Sequence, residues 1–302
     1  MKMQETEFIW MDGKLVPWKD AKIHVLTHTL HYGLGVFEGI RFYKTDKGPA
    51  VFKLQDHTRR LFNGAKKAMM EVPFTEDEIN SAIIETIKKN NISSGYIRPL
   101  LYYGYGKMGL DPHGAPVNVS IAVWPWGSYL GDEAIKVKIS KFIRLHPEST
   151  HAEAKISGHY VNSIFASCEA KEHGYQESLL LDYMGNVSEG PGENLFIVKG
   201  GKLLTPKVGN ILQGITRRSI MEIAIDQGIE VDEVVLRPKD LFEADEAFFT
   251  GTAAEVTAIA SIDDHKIGHA PGPITTKIKE KFMDIVHGKD EKYKHWLTYV
   301  DE

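Results

Sequence analysis

Cysteine is nearly missing from this chain of 302 residues: Cys168 stands alone. That scarcity excludes an intrachain disulfide, a multi-cysteine zinc site and a CxxC redox pair, and it fits a reducing compartment. Long apolar runs are missing as well. The stretch from Met1 to Trp10 is polar rather than signal-like, and no later segment has the unbroken apolar length a bilayer demands. Lys/Arg-rich blocks are absent and the net charge is -5, so neither nucleic acid nor an anionic membrane finds electrostatic footing. No GxxxxGK[ST] or GxSxG string occurs. P-loop and nucleophile-elbow sites are therefore not expected, nor is a dinucleotide site. What these absences leave is small-molecule chemistry in the cytoplasm.

The residues present are ordinary globular material, 42% hydrophobic and 25% charged. They suffice for a large core, and the length suggests two domains. The Pro/Gly-rich stretch from Pro125 to Asp132 reads as a linker. It divides the chain into a small N-terminal α/β domain (1–126), a connection (127–134) and a larger C-terminal domain (135–302). Phe8 to Met11 and Lys14 to Val16 flank Asp12-Gly13, the signal of a type I′ hairpin. The glycine-broken stretch from Thr27 to Arg41 reads as loop leading into strand. A helix is expected over 55–70, with Arg59 and Arg60 in its first turns, and a second begins at Thr75, where Thr75 and Glu78 match a capping box. Ser94 to Tyr103, Val119 to Trp124 and Ile135 to Ile143 read as strands. Alternation turns Tyr96 and Arg98 to one face.

Between Glu153 and Tyr160 one lysine precedes a predicted amphipathic helix. Ser157 is its candidate cap, Val161, Ile164, Phe165 and Cys168 recur at helical spacing, and the pattern closes near Gly174. The Lys155 amine, with the Tyr160 phenol close behind, suits imine formation with a carbonyl if an apolar pocket or a neighbouring cation lowers its pKa. The alternative is a solvated lysine. Arg98, inside an apolar strand, calls for a carboxylate or phosphate partner, in a ligand or in an internal salt bridge. Glu189 and Glu193 flank a Gly-Pro-Gly turn, where a carboxylate could pair with a protonated ring nitrogen or face solvent. Gly214-Ile215-Thr216 opens a helical pattern whose first amides and hydroxyl suit a phosphate. The small residues after Thr250 offer amides to a second anionic group. His24, His28 and His31 are spaced like metal ligands, but the glycines around them spoil the geometry and no acid completes the set, so no metal is expected.

In order along the chain, HYGLGVFEGIRFY, SGYIRPL, HGYQ, SEGPGENLF, GITRRSI and FFTGTAAE resemble the branched-chain amino acid aminotransferases of the fold-type IV, pyridoxal-phosphate-dependent (class IV) group. The resemblance runs from about Phe8 to Gly288. It implies a mixed α/β, two-domain fold of the D-amino acid aminotransferase-like kind, with the cofactor at the domain interface. Lys155 is then expected to hold pyridoxal 5′-phosphate as an imine and, once displaced by substrate, to shuttle the proton between Cα and C4′. Glu189 would pair with the pyridine nitrogen and Tyr160 with the ring hydroxyl. Arg60, the Ile215 and Thr216 amides and Thr252 would hold the phosphate.

On the substrate side, the resemblance assigns the α-carboxylate to Tyr96 and to the Thr252 and Ala253 amides, and an apolar wall to Tyr32, Phe37 and Tyr129. Arg98, assisted by Tyr32, would take the second carboxylate of glutamate. The implied reaction is ping-pong amino transfer between leucine, isoleucine or valine and 2-oxoglutarate. The implied assembly is a homodimer or a group of dimers, with the loop from Gly106 to Leu110 reaching the neighbouring site. D-amino acid and (R)-amine aminotransferases and aminodeoxychorismate lyases would keep Lys155 and Glu189, and Tyr96, Arg98 and VFEGIR argue against them. A non-catalytic phosphate-ligand-binding protein would need neither the ring-nitrogen acid nor the paired phenol. His159 departs from the small or amide residue frequent in relatives.

Overall fold

The hairpin expected at Asp12-Gly13 opens the computed structural model, with β1 (Phe8–Met11) antiparallel to β2 (Lys14–Pro17) and Trp10 opposite Leu15. Residues 3–127, 130–131 and 133–301 are described. The chain divides into two compact units, one of Met1–Gly127, Ala154–Gly158 and Asp284–Glu302, the other of Ser128–Glu153 and His159–Met283.

In the first unit, α1 (His28–Tyr32), β3 (Gly35–Phe37), β4 (Ile40–Thr45) and β5 (Gly48–Phe52) lead into α2 (Leu54–Lys67), α3 (Glu76–Asn90), β6 (Gly95–Tyr103) and β7 (Val117–Trp124). Their sheet is antiparallel and runs from the C-terminal strand Leu297–Tyr299 through β5, β4, β6, β7 and β1 to β2, with β3 on β6. Thr75 caps α3 as expected, accepting from the Glu78 amide at 3.2 Å while the Glu78 carboxylate accepts from the Thr75 amide at 2.7 Å. Ile79, Ile83 and Ile87 recur on one face of α3, and with Leu61 and Ala65 of α2 they are buried in one core with Val51, Ile97, Leu101 and Ile121 of the sheet. Each such aliphatic side chain stabilises by roughly 1.5–3 kcal/mol on burial.

The stretch expected as loop from Thr27 holds one helical turn, α1, which ends because Gly33 adopts φ 71°. That turn matters for Lys155. The Gly158 amide donates to the Gly33 carbonyl at 2.8 Å, the Phe37 amide donates to the Lys155 carbonyl at 3.1 Å, and Val36 bridges Ile156. A Cβ on Gly33 would lie 2.9 Å from the Gly158 Cα. Two glycines thus let the lysine segment lie close against Val36 and Phe37, joined by a single β-bridge.

The second unit is built on β8 (Ile135–Ile139), α4 (Tyr160–Glu172), β9 (Glu177–Leu179), β10 (Asn194–Lys199), β11 (Lys202–Pro206), α5 (Ile215–Asp226), β12 (Val231–Val234), β13 (Glu246–Gly251) and β14 (Glu255–Ile262). The sheet order is β12, β11, β10, β13, β14, β8, β9. β11–β12, β14–β8 and β8–β9 pair parallel, and the remaining pairs antiparallel. Ile135, Val137, Leu179, Leu195, Ile197, Phe249 and Ile259 fill its core.

Two expectations are corrected here. Ser157 does not cap a helix; it begins a 3-10 turn (Ser157–His159) that runs into α4. The apolar positions of that helix are not its buried face either: Val161, Ile164 and Phe165 are 52%, 57% and 53% exposed, and Cys168 is exposed too. The buried residues are Ala166, Glu169 and Ala170. Small alanines allow close packing on β9, and Glu169 tolerates burial because its carboxylate accepts from Ser140 Oγ at 2.6 Å and the Lys141 amide at 3.1 Å. The glycines of Gly104-Tyr105-Gly106-Lys107-Met108-Gly109 do have dinucleotide-fingerprint spacing, but they leave β6 into a loop and open no helix, so the fingerprint lacks its context.

The Gly33–Gly158 approach yields a stability prediction. Gly33→Ala is expected to destabilise the fold by roughly 1–3 kcal/mol, since alanine is strained at positive φ and lacks room. Thermal denaturation reads this as a lowered midpoint, and an unchanged midpoint would contradict it.

Candidate active site

Phe37 brings two cations together. The Lys155 Nζ lies 5.1 Å and the Arg98 Cζ 4.7 Å from its ring centroid. Arg98 also lies 5.4 Å from the centroid of Tyr96, to whose hydroxyl its Nη2 donates at 3.4 Å. Tyr96 is buried and packs on Trp124 and Trp126, with centroids 5.2 and 4.8 Å away. No carboxylate answers Arg98 among the described residues, and its buried Nε has no hydrogen-bond partner. Ring contacts of this kind stabilise a cation by about 0.5–2 kcal/mol, which does not replace a counter-ion. Tyr32 stands outside these contacts, 42% exposed, with its ring 4.6 Å from that of His28. The histidine rings bind backbone: His28 Nε2 meets the Gly109 carbonyl at 2.8 Å and His31 Nε2 the Val25 carbonyl at 2.9 Å.

Arg60 is held by a carboxylate that its helix does not supply. Glu38, fully buried between β3 and β4, accepts from Arg60 Nε at 2.6 Å and Nη2 at 2.9 Å, and its Oε2 lies 2.7 Å from His57 Nδ1. Arg60 and His57 are one turn apart on α2, so one acid reaches both. Burial alone would raise the Glu38 pKa, but the charges and hydrogen bonds of Arg60 and His57 hold it well below the usual carboxylate range. Burial pushes the His57 pKa down, Glu38 opposes that, and the charges of Arg60 and Lys155 add to it. His57 is therefore a neutral imidazole that donates from Nδ1 to Glu38.

In the second unit, Glu189 is buried and fully engaged. Its carboxylate accepts from Arg144 Nε at 2.6 Å, from Asn194 Nδ2 at 3.0 Å and from the Leu212 amide at 3.1 and 3.0 Å. Arg144 is fixed in turn by the Ala152 carbonyl at 3.1 Å. Neither acid of the Gly-Pro-Gly turn faces solvent: Glu193 is also buried, and accepts from the Gly192 amide at 3.0 Å. Asn194 Nδ2 also reaches the Leu212 carbonyl at 3.0 Å, which ties Glu189 to the segment entering α5.

That entry is tight, since a Cβ on Gly214 would fall 1.9 Å from Asn194 Oδ1. Ile215 and Thr216 begin α5, a helix whose N-terminal amides receive no side-chain cap. Thr252 and Ala253 follow β13, whose Thr250 pairs with Asn194, so they leave the sheet beside the Glu189 turn. Tyr160 begins α4, half-buried. The ring of His159 turns to Thr150, Nε2 to Oγ1 at 2.6 Å. Tyr129 lies outside the described residues.

Glu38, His57, Arg144 and Asn194 escaped the sequence reading. A charged residue in the apolar VFEGI string was the available signal for Glu38. Arg144 follows a strand by a few residues and carries no local mark.

The state of His57 makes stability depend on pH. Its folded pKa is depressed, so below an unfolded value of about 6.5 the unfolded chain binds a proton that the folded chain refuses. This share of stability is present above that value and is lost as pH falls below it. The share from Glu38 is complete above the unfolded carboxylate value of about 4.3 and is lost progressively as pH falls from there towards its depressed folded value. His57→Gln is expected to flatten the rise in melting temperature between about pH 5 and pH 7. An unaltered slope would contradict a neutral buried His57.

Residues 35–262 match the family model described as amino-transferase class IV. The chain is similar to the branched-chain-amino-acid aminotransferase of Pseudomonas aeruginosa, 48% identical over 97% of either chain. Its fold is similar to the crystal structure of the Escherichia coli branched-chain amino acid aminotransferase, with TM-score 0.96 and 44% identity over 98% of this chain and 100% of that one. It is equally similar to the T.th. branched-chain amino acid aminotransferase complexed with N-(5′-phosphopyridoxyl)-L-glutamate, with TM-score 0.96 and 44% identity over 98% and 99%. With the family match spanning most of the chain and the relatives nearly all of it, the chain belongs to the class IV aminotransferases.

Proposed function

We propose that the chain is a pyridoxal 5′-phosphate-dependent branched-chain amino acid aminotransferase, exchanging an amino group between L-leucine, L-isoleucine or L-valine and 2-oxoglutarate by a ping-pong route. One observation carries this reading furthest: the Lys155 amine shares the ring of Phe37 with Arg98, a cation that has no carboxylate among the described residues. The site thus combines an amine with a cation suited to a dicarboxylic partner. The T.th. relative, complexed with a phosphopyridoxyl group joined to glutamate, supports the same pairing.

The residues fit the cofactor. α5 begins with amides that no side chain caps, behind a glycine too close to Asn194 for any Cβ, which suits a phosphate. Arg60 and the Thr252 hydroxyl complete that set. Glu189 is the buried carboxylate for a ring nitrogen, Tyr160 the phenol for the ring hydroxyl, and Lys155 the amine. When bound, the cofactor supplies an aldehyde for imine exchange and a protonated ring that accepts electrons from Cα.

Lys155, released by substrate, carries the proton between Cα and C4′. Its backbone is fixed by Phe37, so the amine swings from a rigid base. Glu189 keeps the ring nitrogen protonated, and Arg144 and Asn194 hold its carboxylate in one orientation. Tyr96 and the Thr252 and Ala253 amides take the α-carboxylate. Phe37 offers apolar wall to an aliphatic side chain, a role the family resemblance extends to Tyr32 and Tyr129. Glutamate and 2-oxoglutarate use the same site, with Arg98, assisted by Tyr32, as the partner of the second carboxylate.

The chain works as a homodimer or an assembly of dimers, with the loop from Gly106 to Leu110 at the neighbouring active site, and it acts in the cytoplasm. The open apolar strip of α4 and the 87% exposed Leu110 support self-association. No helix among the described residues is long and apolar enough to cross a membrane.

Borohydride reduction of the cofactor-loaded protein, followed by peptide mapping, is expected to fix the pyridoxyl group on Lys155; attachment elsewhere, or none, would overturn the role of Lys155. Arg98→Gln is expected to raise the KM for 2-oxoglutarate and glutamate roughly ten- to a hundredfold, the worth of a charged hydrogen bond, with a smaller change for leucine. Equal changes for both substrates would count against Arg98 as the second carboxylate's partner.

A further inference from the structure

We propose that Glu38 is the positioning residue of the phosphate site: its carboxylate fixes the guanidinium of Arg60 side-on, and His57 fixes the carboxylate. This rests on the reading that Arg60 holds the cofactor phosphate.

The geometry is that of a clamp. Arg60 reaches Glu38 through Nε and Nη2, at 2.6 and 2.9 Å, and such a fork sets both the plane and the rotation of a guanidinium. An arginine on a helix surface otherwise samples several rotamers and loses that freedom when it binds an anion. Here the loss is met by the fold. Glu38 itself has no freedom, with no exposed surface, its own Oε2 beside the Gly39 amide at 3.2 Å and His57 Nδ1 at 2.7 Å. The neighbouring residue, Phe37, hydrogen-bonds the backbone of Lys155. The Arg60 guanidinium and the Lys155 backbone are thus both tied to one short segment, Phe37-Glu38.

Because the clamp serves the phosphate and not the ring, its loss has a selective signature. The test titrates the full chain and its variants with pyridoxal 5′-phosphate and, separately, with phosphate-free pyridoxal. Arg60→Gln and Glu38→Gln are each expected to weaken pyridoxal phosphate roughly ten- to a hundredfold and to leave pyridoxal binding within about twofold. The double variant is expected to be no weaker than Arg60→Gln alone, since both changes remove one interaction.

Glu38→Asp keeps the buried charge but shortens the reach. It serves as the second variant should Glu38→Gln fail to fold, and it is expected to show the same selective loss to a smaller degree. Unchanged phosphate-cofactor affinity in Glu38→Asp and Glu38→Gln, with a loss in Arg60→Gln, would overturn the positioning role while leaving Arg60 at the phosphate. No loss in Arg60→Gln would overturn the phosphate reading itself. Equal weakening of both ligands in the Glu38 variants would make Glu38 a structural residue only.

Discussion

A carboxylate removed entirely from water is destabilising by several kcal/mol unless a cation answers it, and Glu38 is such a carboxylate. Its presence between β3 and β4 dictates that α2 bring Arg60 and His57 inward, and so it fixes where that helix packs on the sheet. The second unit follows the same rule with different residues. Glu189, buried on its turn, demands Arg144, and Asn194 and the Leu212 amide take up the remaining acceptor capacity. Each unit thus holds a buried carboxylate answered by an arginine. Glu38 orients the Arg60 guanidinium, and Glu189 is itself oriented by Arg144.

Backbone, more than side chains, places the reactive amine. Lys155 begins a segment tied to Phe37, Val36 and Gly33, and that docking depends on the near contact of Gly33 and Gly158. A lysine on a free loop would lose considerable backbone entropy on adopting one geometry; one whose backbone is hydrogen-bonded to Phe37 has lost part of it in folding. The same economy of motion holds for the Ile215 and Thr216 amides, which α5 fixes at its first turn. Arg98 is held differently, by the rings of Phe37 and Tyr96 rather than by an anion among the described residues.

Much of this was legible in the sequence wherever the determining physics is local. The Asp12-Gly13 hairpin, the Thr75–Glu78 capping box and the alternation of Tyr96 with Arg98 depend on neighbours within a few residues, and each was found as read. The six ordered strings carried the family. The illegible parts depend on distant partners. Glu38 and His57 lie nineteen residues apart, and Arg144 and Glu189 forty-five, so no window of sequence shows either pair. Helix α4 misled for a related reason: its spacing of Val161, Ile164, Phe165 and Cys168 is amphipathic, yet the alanines Ala166 and Ala170 face the sheet because close approach favours small side chains there. Periodicity tells which residues share a face, not what that face meets.

The central claim is that this site performs amino transfer on branched-chain L-amino acids. The most direct measurement is the absorbance spectrum of the cofactor-loaded protein before and after adding L-leucine, with D-alanine and (R)-1-phenylethylamine as parallel donors. The account predicts that the yellow band bleaches with L-leucine and returns on adding 2-oxoglutarate. Bleaching by D-alanine or the amine alone, with none by L-leucine, would contradict it.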